Sequence, residues 1–504
     1  QNMSLSNFVK RVRNIMRNDA GINGDAQRIE QMAWMLFLKV YDEKENDWEM
    51  EEDDYKSIIP EGCRWRNWAH DDGSGNALTG DDLLSFVNNT LFDKLKKIEV
   101  TPDTPVRQAI VKTTFEDANQ YMKDGVQLRQ VLNVIDALNL GDYEESHAFG
   151  EIYETILKEI QSAGSSGEFY TPRALTEFMA EIVKPQIGEK MADFACGTGG
   201  FITSWLGELD KRVVTADDRE KFNLSVFGIE KKQFPYMLCV TNLLLHGIDT
   251  PLVFHDNSLT KDVLNYTDDD KFDVVLMNPP YGGNEKSDVK SHFPSDMRSS
   301  ETADLFMVLI MYRLKKNGRA AVIVPDGFLF GADNTKIAIK TKLLRDFNLH
   351  TIIRLPGSIF APYTSIATNI LFFNNEIAEG APEGFATKET WFYRLDMPEG
   401  YKHFSKTKSM KMEHCNPIKE WWNDRKEIIV EDANEKSRCY SVEELIATDC
   451  NFDLCKFPKD DEEILPPAEL LADYFKKRAA LDHEIDKTLA EIQKILGIEI
   501  NIEE

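Results

Sequence analysis

Between Asp25 and Asp42 the apolar residues Ile29, Met32, Ala33, Leu36, Phe37, Val40 and Tyr41 recur at the spacing of one helix face. Similar patterns over Asp81–Leu95, Thr104–Met122, Val126–Leu138 and Ala148–Ile160 predict an all-α region covering the first 160 residues or so. The acidic stretch Asp42–Asp54 interrupts it and predicts a solvated, flexible loop. The small-residue run Ser162-Ala163-Gly164-Ser165-Ser166-Gly167 then predicts a hinge and a domain boundary.

Beyond the hinge, short apolar runs alternate with helical stretches. The runs are Met191–Ala195, Val226–Ile229, Leu252–Phe254, Phe272–Met277, Ala320–Val324, His350–Leu355 and Thr368–Phe373. Between them Ala174–Val183, Gly200–Glu208, Gln233–His246, Ala303–Lys315 and Lys336–Asp346 have helical periodicity. This alternation predicts an α/β doubly wound sheet, which binds its ligands beyond the carboxyl ends of the strands. Residues 380–458 are poorly patterned, with aromatic clusters Trp391-Phe392-Tyr393 and Trp421-Trp422, and are expected to form an irregular cap. Pro466-Pro467 opens a last helix with Leu471, Phe475, Arg478, Leu481, Ile485, Leu489, Ile492 and Leu496 in one stripe. The spacing suits packing on the chain's own core and seaming with a partner's helix equally. The expected domains are therefore 1–162 (helical), 163–464 (α/β, catalytic) and 465–504 (a helical tail for partner contact).

The apolar content of 42% is that of a globular chain, and no apolar run reaches membrane-spanning length. Gln1 and Asn2 precede Met3 and are read as a processing remnant, with no secretory signal pattern after them. The seven cysteines are scattered without a Cys-x-x-Cys pair, so a zinc ribbon or disulfide framework is not expected, and the chain reads as reduced and cytoplasmic. Charge changes the picture more. With 59 Lys and Arg against 86 Asp and Glu, the net charge is −27. Unaided tight binding to DNA draws on phosphate neutralisation by a basic surface. If nucleic acid is the substrate, a partner is expected to supply much of the grip.

Candidate chemistry collects at four strand ends. Asp193-Phe194-Ala195-Cys196-Gly197-Thr198-Gly199-Gly200 follows the first run and opens a helix, and its glycines let backbone approach a ligand closely. Glu230 ends the second run, where a carboxylate can accept both hydroxyls of a ribose, in a dinucleotide or in S-adenosylmethionine. Asp256-Asn257, after the third, can hydrogen-bond an adenine ring or form an Asx turn. The fourth, Asn278-Pro279-Pro280-Tyr281, decides between the ligands. Its prolines fix the turn and remove two backbone donors, leaving the Asn278 side-chain oxygen and the Pro279 carbonyl to accept both N–H bonds of one amine. Carbonyl dipoles so placed stabilise the positive charge that builds on a nitrogen during methyl transfer, and Tyr281 offers a face for a flat substrate.

These segments resemble the modification (methyltransferase) subunits of type I restriction-modification systems over nearly the whole chain. Glu168-Phe169-Tyr170-Thr171-Pro172-Arg173 is similar to the family segment ahead of the sheet that lines the methionine end of the cofactor. Ala195–Phe201 resembles the glycine turn and Asn278–Tyr281 the catalytic motif, in the order of the gamma class of N6-adenine enzymes. Ala320–Gly331 and Gly357–Phe373 resemble segments that follow that motif, and the resemblance makes Phe360 a second stacking face for a flipped base. It further implies S-adenosylmethionine as methyl donor with no metal, a Rossmann-like core, duplex DNA as substrate, a specificity subunit that chooses the site (two copies of this chain to each), and a restriction/translocase subunit in the full complex. Cofactor binding is thereby expected at residues 168–173, Asp193, Cys196, Gly197, Thr198, Gly199, Glu230, Asp256 and Asn257. The interval from Asp193 to Glu230 exceeds the roughly twenty residues usual in dinucleotide folds, and the polar stretch Asp210–Asn223 is read as an insertion.

Competing readings are a protein methyltransferase acting on a glutamine amide, an N4-cytosine enzyme, and a cofactor-binding scaffold without activity. A nuclease or translocase role for this chain is not expected, because no Gly-x-x-x-x-Gly-Lys-Ser/Thr phosphate loop is present. Cys196 is read as a packing residue, and the polar segment Gly282–Thr302 as a mobile loop that closes over the substrate.

Overall fold

A computed structural model describes residues 5–140, 150, 153, 171–361, 364–405, 408–430, 434–455 and 467–496. The Ser162–Gly167 hinge, most of the Ala148–Ile160 pattern, and Glu168, Phe169 and Tyr170 lie outside the described residues.

Contacts divide the chain into a large unit, Gln1–Lys456, and a small one, Phe457–Glu504. In the large unit the N-terminal helices include α1 (Leu5–Met16), α2 (Gly24–Glu51), α3 (Val106–Phe115) and α4 (Gly125–Asp136). Helix α2 continues through the acidic stretch to Glu51, which corrects the loop expected there. The physical reason is charge pairing from a later turn. Arg66 donates to Asp42 at 2.9 Å, and Arg64 approaches Glu45 within 3.0 Å and Glu49 within 2.6 Å. The Thr104–Met122 pattern yields a shorter helix, because Pro105 starts it and Asp19 ties the Lys123 and Asp124 amides into an extended return.

The strands are β1 (Met191–Asp193), β2 (Val226–Glu230), β3 (Val253–His255), β4 (Phe272–Met277), β5 (Leu314–Pro325), β6 (Asn348–Arg354), β7 (Thr368–Asn374), β8 (Glu389–Arg394), β9 (Ile428–Val430) and β10 (Asn434–Ser441). They form one ten-stranded sheet in the order β3-β2-β1-β4-β5-β7-β6-β8-β10-β9. The first five are parallel, and β7 runs antiparallel between β5 and β6. All seven expected runs are strands. The expected irregular cap is corrected: Trp391, Phe392 and Tyr393 lie in β8, which pairs parallel with β6 and carries β10 and β9 beyond it.

The strands read as continuous apolar runs because both faces of the sheet are covered. In β4, Val274 and Leu276 enter one core with helices α5 (Arg173–Val183), α6 (Gly200–Asp210) and α7 (Gln233–Leu245). Val275 and Met277 enter the other, with α8 (Thr302–Arg313) and α9 (Asn334–Asp346). Helix α7 is buried without a break from Tyr236 to Leu245. It lies between the sheet and the N-terminal helices, with α2 and α3 packed on it, so an apolar stripe alone would leave one side wrongly dressed. The first core thus runs without interruption from Phe8 to the face of the sheet.

Helix α10 (Pro467–Leu496) is the described part of the small unit. Among the described residues no helix is long and apolar enough to cross a membrane.

Candidate functional site

From β1 the chain steps to β2 and β3 on one side and to β4 and β5 on the other, so strand order reverses beside β1. An open sheet leaves a crevice at such a point, beyond the strand ends. A cavity of about 330 Å³ lies there. The turns after β1 to β4 wall it, through Gly197, Glu230, Asp256, Asn257 and Asn278–Pro280.

The glycine turn is built for close approach. Gly197 and Gly199 have φ of 55° and 87°, which β-carbons disfavour. A Cβ on Gly199 would also stand 2.8 Å from the Cys239 sulfur. The Glu230 carboxylate accepts the Gly197 N–H at 2.8 Å and the Lys232 N–H at 2.8 Å, which sets the turn against the end of β2. Burial still pushes its pKa up, despite those donors. Asp193 is buried beneath the turn, where it accepts the Ala195 N–H at 3.1 Å. Burial pushes its carboxyl up to about 8, and the Glu230 charge acts in the same direction.

The remaining expected positions divide into wall and support. The Asn257 side-chain oxygen accepts the Leu259 N–H at 3.1 Å, so the Asx turn is present at the cavity wall. Asp193, Cys196, Thr198 and Gly199 are outside the lining, under or behind the turn. Cys196 is a buried free thiol that meets Cys239, and contact between the two thiols together with burial raises its pKa. Arg173 faces the turn from α5. Its guanidinium donates to the Gly200 carbonyl at 2.8 Å and to the Thr203 hydroxyl, bracing the start of α6. Thr171 accepts the Asn278 side-chain N–H at 3.0 Å, and Pro172 caps α5.

In the Asn278–Tyr281 turn the Tyr281 hydroxyl donates to the Asn278 side-chain oxygen. Burial holds the phenol well above its usual pKa, so that proton stays on the oxygen. The Phe360 ring is 1% exposed and meets Tyr281 edge to face, with centroids 6.5 Å apart and planes at 83°. The two rings touch each other and are not parallel, and Phe360 is part of the buried core. The segment after Tyr281 is a packed structure with a short helix at Ser287–Lys290, and it buries Val289, Phe293 and Met297 in the second core.

Sequence reasoning missed Phe194, Pro235, Gly283, Glu285, Thr302 and Phe306, which also line the cavity. Phe194 and Phe306 carried an apolar signal, but it is the signal of any core position. Lys231 and Glu285 face each other within 3.7 Å.

Known proteins similar to this chain name its family. Residues 5–135 match the HsdM N-terminal domain family and residues 144–463 the N-6 DNA Methylase family. The chain is 44% identical over 499 residues to the EcoEI type I restriction enzyme methylase subunit of Escherichia coli, covering 98% of both. Among solved structures it resembles a modification subunit assigned to a type I restriction enzyme of Vibrio vulnificus, at 38% identity and a TM-score of 0.74 over 88% of this chain and 92% of that one. A chain from a structural study of complex assembly in the type I R-M system matches at 32% identity and a TM-score of 0.78, over 99% of each. The two family matches, over residues 5–135 and 144–463, and the 44% identity across nearly the whole chain place it in the family of type I restriction enzyme methylase subunits.

Proposed function

We propose that the chain is the adenine N6-methyltransferase of a type I restriction-modification complex, acting on a flipped adenine in duplex DNA at a site chosen by a specificity subunit. The observation that carries this reading is the position of Asn278-Pro279-Pro280 on the wall of the switch-point cavity, with Tyr281 directly after it.

The residues present fit S-adenosylmethionine. A cavity of about 330 Å³ is within the range of small-ligand sites. Phe194, Pro235 and Phe306 offer apolar walls for a flat ring, and the Glu230 carboxylate lies where ribose hydroxyls can donate to it. Gly197 and Asp256-Asn257 would complete the hold, and Asp193, Cys196, Thr198, Gly199 and Arg173 would support the turn from behind. Thr171 and the segment before it would close the methionine end. The bound cofactor supplies an electrophilic methyl group.

The chain's own residues orient the amine. The Asn278 oxygen and the Pro279 carbonyl accept its two N–H bonds and stabilise the positive charge that develops as the nitrogen–methyl bond forms. Once methylated, the nitrogen sheds a proton to water, and no strong base is required. Withdrawing the adenine from the duplex costs roughly a few kcal/mol, of which stacking on Tyr281 returns about 1–3 kcal/mol. Phe360 would form the opposite face only after its edge-to-face contact with Tyr281 opens.

A net charge of −27 fits delegation of target recognition to a partner. The match to a chain from a study of complex assembly in the type I R-M system supports assembly with specificity and restriction/translocase subunits; two copies of this chain per specificity subunit is what the family resemblance implies. The test is incubation with methyl-labelled S-adenosylmethionine and adenine-containing duplex, with and without the specificity subunit, followed by mass identification of the base. Label as N6-methyladenine only with the partner is expected. Label on a protein amide, or none, overturns the reading.

A further inference from the structure

The segment after the catalytic turn closes on itself at a neck. The Thr302 N–H donates to the Gly283 carbonyl at 3.1 Å, and Asn284 bridges to Glu301. Gly283 approaches so closely that a Cβ there would stand 2.6 Å from the Thr302 hydroxyl. Both residues line the cavity.

A buried cluster of charge grips this neck from behind. Asp304 is 0% exposed, and its Oδ2 accepts the Ser299 hydroxyl at 2.6 Å and the Lys336 ammonium at 2.6 Å. Lys336, 4% exposed on α9, also reaches Glu301 at 2.8 Å. The Ser299 oxygen in turn accepts the Glu301 N–H at 3.1 Å. One carboxylate and one ammonium therefore hold both residues that lead the segment back into α8. Gly331 is shaped around the lysine: a Cβ there would stand 2.1 Å from Lys336 Cδ. The other Asp304 oxygen is buried without a hydrogen-bond partner. A buried ion pair with an unsatisfied oxygen is a poor source of stability, since desolvation offsets most of its attraction. Fixing geometry is the better account of it.

We infer that Ser299, Asp304 and Lys336 are positioning residues that clasp the neck of the 282–301 segment and so set the Gly283–Thr302 wall of the cavity. The inference rests on the proposed reading of that cavity as the S-adenosylmethionine site. None of the three residues lines the cavity, and their effect runs through Glu301, Thr302 and Gly283.

The test uses the full chain, with Ser299→Ala as the mild variant, Ser299→Thr as its conservative counterpart, and Lys336→Met as the severe one. Hydrogen exchange of amides 284–301 is followed without cofactor, and S-adenosylmethionine binding by calorimetry. Losing a hydrogen bond to a charged group predicts about tenfold faster exchange in Ser299→Ala, and weaker cofactor binding by a similar factor. Amides of β1 and β4 should keep their native protection, and Ser299→Thr should restore both quantities. Lys336→Met should move both further in the same direction. If Lys336→Met does not fold, Ser299→Ala still decides. Native exchange in Ser299→Ala overturns the clasp, and faster exchange with native affinity overturns its link to the cavity. A native chain that binds no S-adenosylmethionine would instead sink the cofactor reading, with the exchange data still reporting on the clasp.

Discussion

The Tyr281 hydroxyl donates to the Asn278 side-chain oxygen, the same acceptor that the proposed reaction assigns to the target amine. Tyrosine and substrate therefore share one oxygen, which has two lone pairs and can accept from both. Tyr281→Phe removes this hydrogen bond and keeps the ring, so kcat/KM should stay within about threefold of native, since the Asn278 oxygen can still accept from the amine or from water. Tyr281→Ala should lose about 10- to 100-fold through lost stacking. Asn278→Ala should lose about 10²- to 10³-fold, as for removal of a preorganised dipole at developing charge. Methylation rates of the complex with its specificity subunit measure all three. A Phe variant as damaged as the Ala variant would show that the hydroxyl, not the ring, matters.

Asp193 predicts a pH effect on stability. Its carboxyl is held up to about 8 in the fold, against about 3.9 in an unfolded chain. Between these values the native state keeps a proton that the unfolded state has released. Its contribution is then fully present below about pH 4 and is lost as pH rises through about 8. Asp193→Asn keeps an oxygen for the Ala195 N–H and removes the titration. The melting temperature of the variant relative to native should rise by about 2 °C or more between pH 5 and pH 8. A difference independent of pH would contradict the assignment.

Gly199 combines a φ of 87° with a Cβ site 2.8 Å from the Cys239 sulfur. Gly199→Ala should therefore cost about 1–3 kcal/mol of stability and weaken S-adenosylmethionine binding at least tenfold. Gly207 has open space at its Cβ, and Gly207→Ala serves as the tolerated control. Calorimetry of both variants separates a strained turn from a general sensitivity to glycine replacement.

Helix α10 leaves Leu481, Ile485, Leu489 and Ile492 between 44% and 60% exposed. Such a stripe suits a helical partner. The double variant Ile485→Asp, Leu489→Asp should weaken association with the specificity subunit by about tenfold or more, with the melting temperature of the isolated chain unchanged. Unchanged association would remove this face from the interface.

The sequence by itself determined the seven strands of the core, the order of its motifs and the four turns that wall the cavity. Each of these is a local property. A strand buried on both faces is a short apolar run, and a turn that needs positive φ or missing donors shows as Gly or Pro. Only the tertiary structure decided what depends on pairing across the chain. Residues 43–51 stay helical with Arg64 and Arg66 folded back onto Glu45 and Glu49, pairing from a later turn that adds to the local Lys39–Glu43 and Lys44–Asp47 pairs. Trp391–Tyr393 is a strand because β6 is beside it to pair with. Phe194 and Phe306 belong to the second core and also wall a cavity, because of where β1 and α8 come together. Lys336 is buried because Asp304, 32 positions earlier, waits for it. Periodicity reports how one element is dressed, and contacts between distant elements are set by packing, which no window along the chain contains.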